Sequence, residues 1–277
     1  MRAAFFDLDK TVIAKASIAA FGRPFYRGGL INRRLVARAL VSQIIYLHLG
    51  ASEQKLARVR ESMLVLTKGW DRDQIRDIVR EALEETVEPI IYAEALDLIE
   101  AHRAAGHKVY LVSASPEDIV MPLADHLGVD GAIASRVVVD EDGRYAGEMD
   151  FYAYGPFKAV AMEELAEREG FDLSESSAYS DSYTDLPMLE AVGHPVAVNP
   201  DRVLAKVAKD RDWEVMQFTK PVRMRDRMSV RSLSITATAA GITAAASVGA
   251  LVAWRLARRA ETVATTRPLV SRRPFRS

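Results

Sequence analysis

The feature that most restricts how this chain can fold is the spacing of its short apolar runs after residue 86. Residues 108–112 (Lys-Val-Tyr-Leu-Val), 177–180 and 196–198 are each brief enough to be a buried strand, and residues 2–8 supply a fourth such run near the N-terminus. Between and after them lie segments of helical period: 91–105 with Gly106 as its stop, 117–127 followed by Gly128, 156–169 and 184–191. Strands separated by helices of roughly 10–15 residues build βαβ units and a parallel sheet. Residues 137–139 and 144–147 flank Glu141-Asp142-Gly143, a hairpin signal because Asp-Gly supplies the positive φ of the turn. The chain has no internal repeat. The expected class is α/β, with a doubly wound parallel sheet.

Residues 14–85 break this rhythm, since they contain no strand pattern. Residues 30–49 repeat Leu35, Val36, Ala39, Leu40, Ile44 and Leu47 at helical spacing, with Gly50 as the stop. Ser52 caps a second helix and Asp71 a third, over 72–86. The segment is expected to be a helical insertion, 14–85, in a core formed by 1–13 and 86–219.

Composition narrows the class. At 49% hydrophobic and 27% charged the chain is globular, which excludes wholesale disorder, collagen and a polytopic membrane protein. The absence of cysteine excludes a disulfide scaffold, a thiolate zinc site and a catalytic thiol. The net charge of -1 conceals an asymmetry. Residues 220–277 hold twelve Lys or Arg against Asp226 and Glu261, a balance of +10, and leave 25 basic and 36 acidic residues in 1–219. Met1 to Asp7 has too short an apolar run for a signal peptide, so the body is expected to be cytoplasmic.

Within the basic tail, residues 233–254 form 22 uncharged positions ending at Trp254. As a helix they match a bilayer core of about 30 Å. Arg223, Arg225, Arg227, Arg231, Arg255, Arg258 and Arg259 flank them, and Ala237, Gly241, Ala245 and Gly249 recur every four residues. The run is rich in Ala, Gly, Ser and Thr, so an apolar helix that spans or lies on a cell membrane competes with an Ala-rich surface helix.

The chemistry-bearing residues sit at the ends of these elements. Asp7-Leu8-Asp9-Lys10-Thr11 follows the first apolar run directly. In a parallel sheet, functional groups collect at the carboxyl ends of strands. Two carboxylates that close repel unless a cation or shared proton joins them. Ser113 ends the next strand, Lys158 opens a helix after Gly155-Pro156-Phe157, and Asp181 and Asp185 follow the strand at 177–180. Singly, each is explained as a cap, a turn hydroxyl or a solvated charge; four such groups in this order are hard to obtain by accident.

With these motifs the chain resembles the haloacid dehalogenase superfamily, and in particular its phosphoserine-phosphatase-like branch with a small helical cap. The resemblance covers residues 3–210. It implies that Asp7 is a nucleophile forming an aspartyl-phosphate, and that Asp9 protonates the leaving group and then activates water. It implies that Thr11 and Ser113 hold the phosphoryl oxygens and that Lys158 neutralises their charge. Mg²⁺ would be bound by Asp7, the main-chain carbonyl of Asp9 and Asp181, with Asp185 supporting that site. The implied activity is phosphomonoester hydrolysis. Splitting hydrolysis through a covalent intermediate lowers each barrier, and Mg²⁺ favours hard oxygen ligands.

Asp9-Lys10-Thr11 also looks like the D-K-T of P-type ion pumps, but Val12 follows Thr11, Asp7 lies upstream, and at most one segment could span a membrane. Departures bear on the substrate. Phosphoserine phosphatases carry Glu nine residues after the nucleophile, where this chain has Ala16, and Ser-Gly-Gly where it has Ser113-Ala114-Ser115. Their G-D-G-x-N-D is here Ser180-Asp181-Ser182-Tyr183-Thr184-Asp185. Ser113 to Glu117 looks closer to lipid-phosphate phosphatases acting on phosphatidylglycerophosphate. A membrane-attached phosphatase of that or the lysophosphatidate type is therefore the alternative, with Arg33, Arg34, Arg58 and Arg60 as anion contacts or a solvated face. No nucleic-acid partner is expected, because the uncharged stretch interrupts the basic run. There is no phosphate-binding P-loop motif, and the five histidines lack metal-ligand spacing.

Overall fold

The computed structural model describes residues 1–31, 61 and 63–219. The helices expected over 30–49, after Ser52 and over 233–254 therefore lie essentially outside the described residues, as do Arg33, Arg34, Arg58 and Arg60. Among the described residues, no helix is long and apolar enough to cross a membrane.

Strand β1 (Ala3–Asp7) is buried at every position. Its apolar run is continuous rather than alternating because both faces of a parallel sheet are covered. It pairs in parallel with β2 (Lys108–Pro116) on one side and β5 (Ser177–Ser180) on the other. Beyond β2 lie β3 (Gly131–Val139) and β4 (Tyr145–Phe151); beyond β5 lie β6 (His194–Val198) and β7 (Glu214–Met216). The seven strands run in the order β4-β3-β2-β1-β5-β6-β7. All neighbours are parallel except β3 and β4, the expected hairpin, whose turn places Gly143 at φ 77. The chain winds outward from β1 to β4 and then returns to the far side of β1, so the topology reverses at β1. In such sheets a crevice opens at the carboxyl ends of the strands flanking the reversal.

Helices α1 (Ser17–Arg27) and α2 (Arg72–Ala82) come between β1 and β2 in the chain, followed by α3 (Ala93–Ala104). Asp71 caps α2 as expected, accepting from the backbone of Gln74. The helix expected to run to residue 86 changes pitch at Leu83, passing through a π turn (Leu83–Val87) into a 3-10 turn (Glu88–Ile90). Pro89 explains the tightening, since it removes a backbone donor. α4 (Glu117–Leu127) ends on Gly128 at φ 64, and α5 (Pro156–Glu169) carries proline in its first turn. The helix expected over 184–191 divides into a 3-10 turn (Tyr183–Asp185) and α6 (Leu186–Glu190).

Sequence periodicity did not announce α1, α7 (Arg202–Asp210) or β7, which are short elements held by packing. The core lies on the sheet: Phe5, Val112, Met162, Met188, Leu189 and Leu204 are fully buried. Phe6 stacks on Tyr179 at 4.3 Å, fixing β1 against β5.

Candidate active site

Asp7 is the last residue of β1, buried at 6% exposure. The chain then turns sharply. The backbone N–H groups of Val12 and Ile13 both donate to the Leu8 carbonyl at 3.0 Å, and Lys10 adopts φ 65. A non-glycine residue in the left-handed region is uncommon and concentrates at functional turns. This turn buries Thr11 completely and leaves its Oγ1 without a hydrogen-bond partner. A buried hydroxyl in that state calls for a ligand, because native interiors satisfy nearly all such groups.

Lys158 reaches the same place from the first turn of α5. The residue is 3% exposed, and its ammonium donates to Oδ1 of Asp7 at 2.6 Å and to Oδ2 of Asp185 at 2.7 Å. Ser180 Oγ, at the end of β5, also donates to Asp185 Oδ2, at 2.7 Å. Asp181 follows β5; its closest cation is the exposed Lys10, whose Nζ stands 3.9 Å from Oδ2. Asp9 faces the start of α1. The Ser17 N–H donates to Oδ1 at 2.8 Å and the Ser17 hydroxyl to Oδ2 at 3.3 Å. Ser17 Oγ lies 2.6 Å from Ser115 Oγ, and the Ser115 N–H donates to Ser113 Oγ at 3.1 Å.

The charges are out of balance. Burial raises the Asp7 carboxyl well above its ordinary value, with Asp185 and Asp9 adding to the rise and Lys158 opposing it. Burial likewise raises Asp9, against the two Ser17 hydrogen bonds. Asp181 is pushed up to about 6, mainly by burial. Burial disfavours the Lys158 ammonium, but Asp7 and Asp185 outweigh it and hold the amine charged above its usual range. Four acids thus face one buried cation, which suits a site that receives a further positive charge.

Direct hydrogen bonds join Asp7, Lys158 and Asp185. Asp9 and Ser113 are linked through Ser17 and Ser115, and Asp181 stands beside Lys10. The structure does not gather Asp7, Asp9, Asp181 and Asp185 into one cage: among the described residues, no group of three or more acidic or histidine side chains is arranged to hold a metal ion. Oδ2 of Asp185 takes both Lys158 and Ser180, Oδ1 of Asp7 takes Lys158, and both oxygens of Asp9 face Ser17. Mg²⁺ takes one or two carboxylates and completes its shell with phosphate and water, so Asp7, Asp181 and the Asp9 carbonyl could hold such an ion. Ser17, Ser115 and Ser180 were not anticipated. Serine is too common for its type to mark a site, and the helix that begins at Ser17 was itself not announced in the sequence.

Comparison with known proteins identifies the family. The haloacid dehalogenase-like hydrolase family model matches residues 4–190. A probable phosphatase of Mycobacterium tuberculosis is 49% identical over 257 residues, covering 93% of this chain and 89% of that protein. A phosphoserine phosphatase of the same organism is 34% identical over 245 residues, covering 88% and 79%. Among solved structures, a phospho-aspartyl intermediate analogue of phosphoserine phosphatase superposes with a TM-score of 0.54 at 18% identity, covering 83% and 98%; it shares the fold. The chain belongs to the haloacid dehalogenase-like hydrolases and is a phosphatase, a phosphoric monoester hydrolase.

Proposed function

We propose that the protein is a Mg²⁺-dependent phosphatase of small phosphorylated metabolites, working through an aspartyl-phosphate on Asp7. The observation that carries this reading is the Lys158 ammonium held between Asp7 and Asp185, with the unpartnered hydroxyl of Thr11 in the turn that follows Asp7. A carboxylate oxygen of Asp7 attacks phosphorus, and the bond from phosphorus to the leaving oxygen breaks. Asp9 gives its proton to that oxygen. Water then attacks the phosphorus of the acyl phosphate while Asp9 takes a proton from it, which frees Asp7 and inorganic phosphate. Thr11 and Ser113 donate to the phosphoryl oxygens; Ser113 Oγ already accepts the Ser115 N–H, which leaves its own proton to give. Lys158 offsets the charge that builds on those oxygens, and Asp185 and Ser180 hold Lys158 in place. Asp7, Asp181 and the Asp9 carbonyl would hold Mg²⁺, which supplies the positive charge that lets an anionic nucleophile approach an anionic phosphate. Positioning and charge stabilisation account for most of catalysis in this chemistry.

In this reading residues 14–85 form a cap on a core of 1–13 and 86–219, and 220–277 is a basic tail. The relative named phosphoserine phosphatase supports a small soluble phosphomonoester, while Ala16 argues for a leaving group other than serine. The lipid-phosphate alternative rests on the sequence of 233–254 and on Ser113 to Glu117.

The test is a substrate screen with and without Mg²⁺, together with acid trapping of the phosphoenzyme. Phosphoserine, sugar phosphates, lysophosphatidate and phosphatidylglycerophosphate should be compared on the full chain and on residues 1–219. Metal-dependent turnover of a soluble phosphomonoester, with a trapped hydroxylamine-sensitive adduct absent from Asp7→Asn, is expected. Turnover that survives in Asp7→Asn overturns the proposal, and turnover confined to the lipid substrates and the full chain establishes the alternative.

A further inference from the structure

Two serines that the reaction scheme leaves out, Ser17 and Ser115, form one connected system behind Asp9. Ser17 is completely buried and is the first residue of α1, whose N-cap, Ala16, has no side chain able to cap. A helix start leaves backbone N–H groups without intrahelical partners. Here the Ser17 N–H finds one in Asp9 Oδ1 at 2.8 Å, and the Ser17 hydroxyl lies 3.3 Å from Asp9 Oδ2. The Ser17 and Ser115 hydroxyl oxygens are 2.6 Å apart.

Hydrogen-bond bookkeeping gives this system a direction. An ionised carboxylate only accepts, so both Ser17 groups donate to Asp9. The Ser17 proton is then committed to Asp9, and the short contact to Ser115 requires Ser115 to donate its own proton to Ser17. Oδ1 of Asp9 faces a backbone N–H, which donates permanently, so Oδ1 is a poor place for a proton. When Asp9 is protonated the proton belongs on Oδ2. There the Ser17 hydroxyl can rotate, and the contact is the longer and weaker of the two.

We infer that Ser17, braced by Ser115, is a positioning residue: it clamps the Asp9 carboxyl so that Oδ2 is the oxygen that gives and takes the proton in turnover. The inference rests on the reading of Asp9 as acid and base. It also joins the start of α1, on the segment between β1 and β2, to the end of β2 beside Ser113. The oxygen that protonates the leaving group and the hydroxyl that holds the phosphoryl group therefore share one hydrogen-bonded frame.

Phenyl phosphate and p-nitrophenyl phosphate separate this role from a structural one. Both present an aryl ester, but phenoxide is the poorer leaving group and needs the proton from Asp9 more. Ser17→Ala keeps the backbone N–H and loses the hydroxyl, so kcat/KM for phenyl phosphate should fall about ten-fold, the lower end of what a hydrogen bond to a charged group is worth, as suits a 3.3 Å contact. For p-nitrophenyl phosphate the fall should be two-fold to three-fold (about 0.5 kcal/mol). Ser17→Thr, which retains the hydroxyl, should restore the phenyl phosphate rate. Ser115→Ala should show the same selectivity to a smaller degree, and it serves as the second probe if Ser17→Ala melts early. Equal losses on both esters, or no rescue by threonine, overturn the inference. Asp9→Asn separates this from failure of the underlying reading: if it hydrolyses phenyl phosphate as fast as the parent enzyme, Asp9 is not the acid.

Discussion

Lys158 and Asp7, 151 residues apart in the chain, meet at 2.6 Å in the interior. Neither charge has water to fall back on, at 3% and 6% exposure. Removing one partner of a buried pair strands the other, at a cost of about 3–5 kcal/mol. Lys158→Met should therefore lower stability by that order in denaturant titrations and reduce kcat by about a hundred-fold or more, as loss of a charge-stabilising donor does. Normal turnover in a folded Lys158→Met protein would remove Lys158 from the reaction.

Asp181 carries a carboxyl that burial pushes up to about 6, Lys10 opposing the rise and Asp185 and Asp201 adding to it. Chelation of divalent ions should abolish phosphatase activity, and added Mg²⁺ should restore it. Asp181→Asn should raise the Mg²⁺ concentration needed for half-maximal activity by about ten-fold or more, since it removes one of the two carboxylates proposed to hold the ion. Activity titrated against free Mg²⁺ reads both effects.

Asp118 on α4 is 2% exposed and accepts from Arg76 Nε of α2 at 2.5 Å and from the Tyr145 hydroxyl of β4 at 2.9 Å. Asp118→Ala leaves both donors unpaired where α2 meets the core and should cost about 3–5 kcal/mol. Tyr145→Phe deletes one hydrogen bond to the same charge and should cost about 1.5–3 kcal/mol. Chemical denaturation of the two variants orders them.

Gly193 precedes β6, where a Cβ would stand 1.7 Å from the Ser174 carbonyl oxygen. Backbone cannot yield as a flexible side chain does, so Gly193→Ala should destabilise by about 3 kcal/mol, the upper range for overpacking. A thermal midpoint equal to that of the parent protein would show that the two segments separate freely.

His102 is held neutral by its surroundings. Its Nε2 lies 2.7 Å from the Tyr179 hydroxyl and its Nδ1 2.9 Å from His107 Nδ1. Burial, with a smaller contribution from His107, lowers its pKa from 6.5 to about 4. Between those values the unfolded chain binds more protons than the folded one, so stability rises with pH across the window. The contribution is complete above pH 6.5 and is lost as pH falls toward 4, on the order of 1–2 kcal/mol after allowance for partial exposure. Unfolding free energies from pH 4 to 7 should show this slope in the parent and a flatter one in His102→Gln.

Much of the site was legible before any fold was known, because each principal group stands at the end of a periodic element. Asp7 closes an apolar run, Ser113 follows another, and Lys158 sits just inside a helix signalled by Gly155-Pro156. The less legible parts are those whose role depends on a partner remote in sequence. Nothing local to Ser17 says that its N–H faces Asp9, and nothing near Asp185 says that it accepts from Lys158.

The amino-acid order alone determined the parallel α/β class, the β3–β4 hairpin and the set of polar groups at strand ends, because strand and helix periods and turn chemistry are local properties. Tertiary structure alone decided where the sheet reverses, which carboxylates are neutralised by Lys158, and which hydroxyls are satisfied or left open, as at Thr11. Those outcomes depend on burial and on distances between residues far apart in the chain. The electrostatic interactions that set charge states fall off over a few ångströms, and only packing brings such groups within that range.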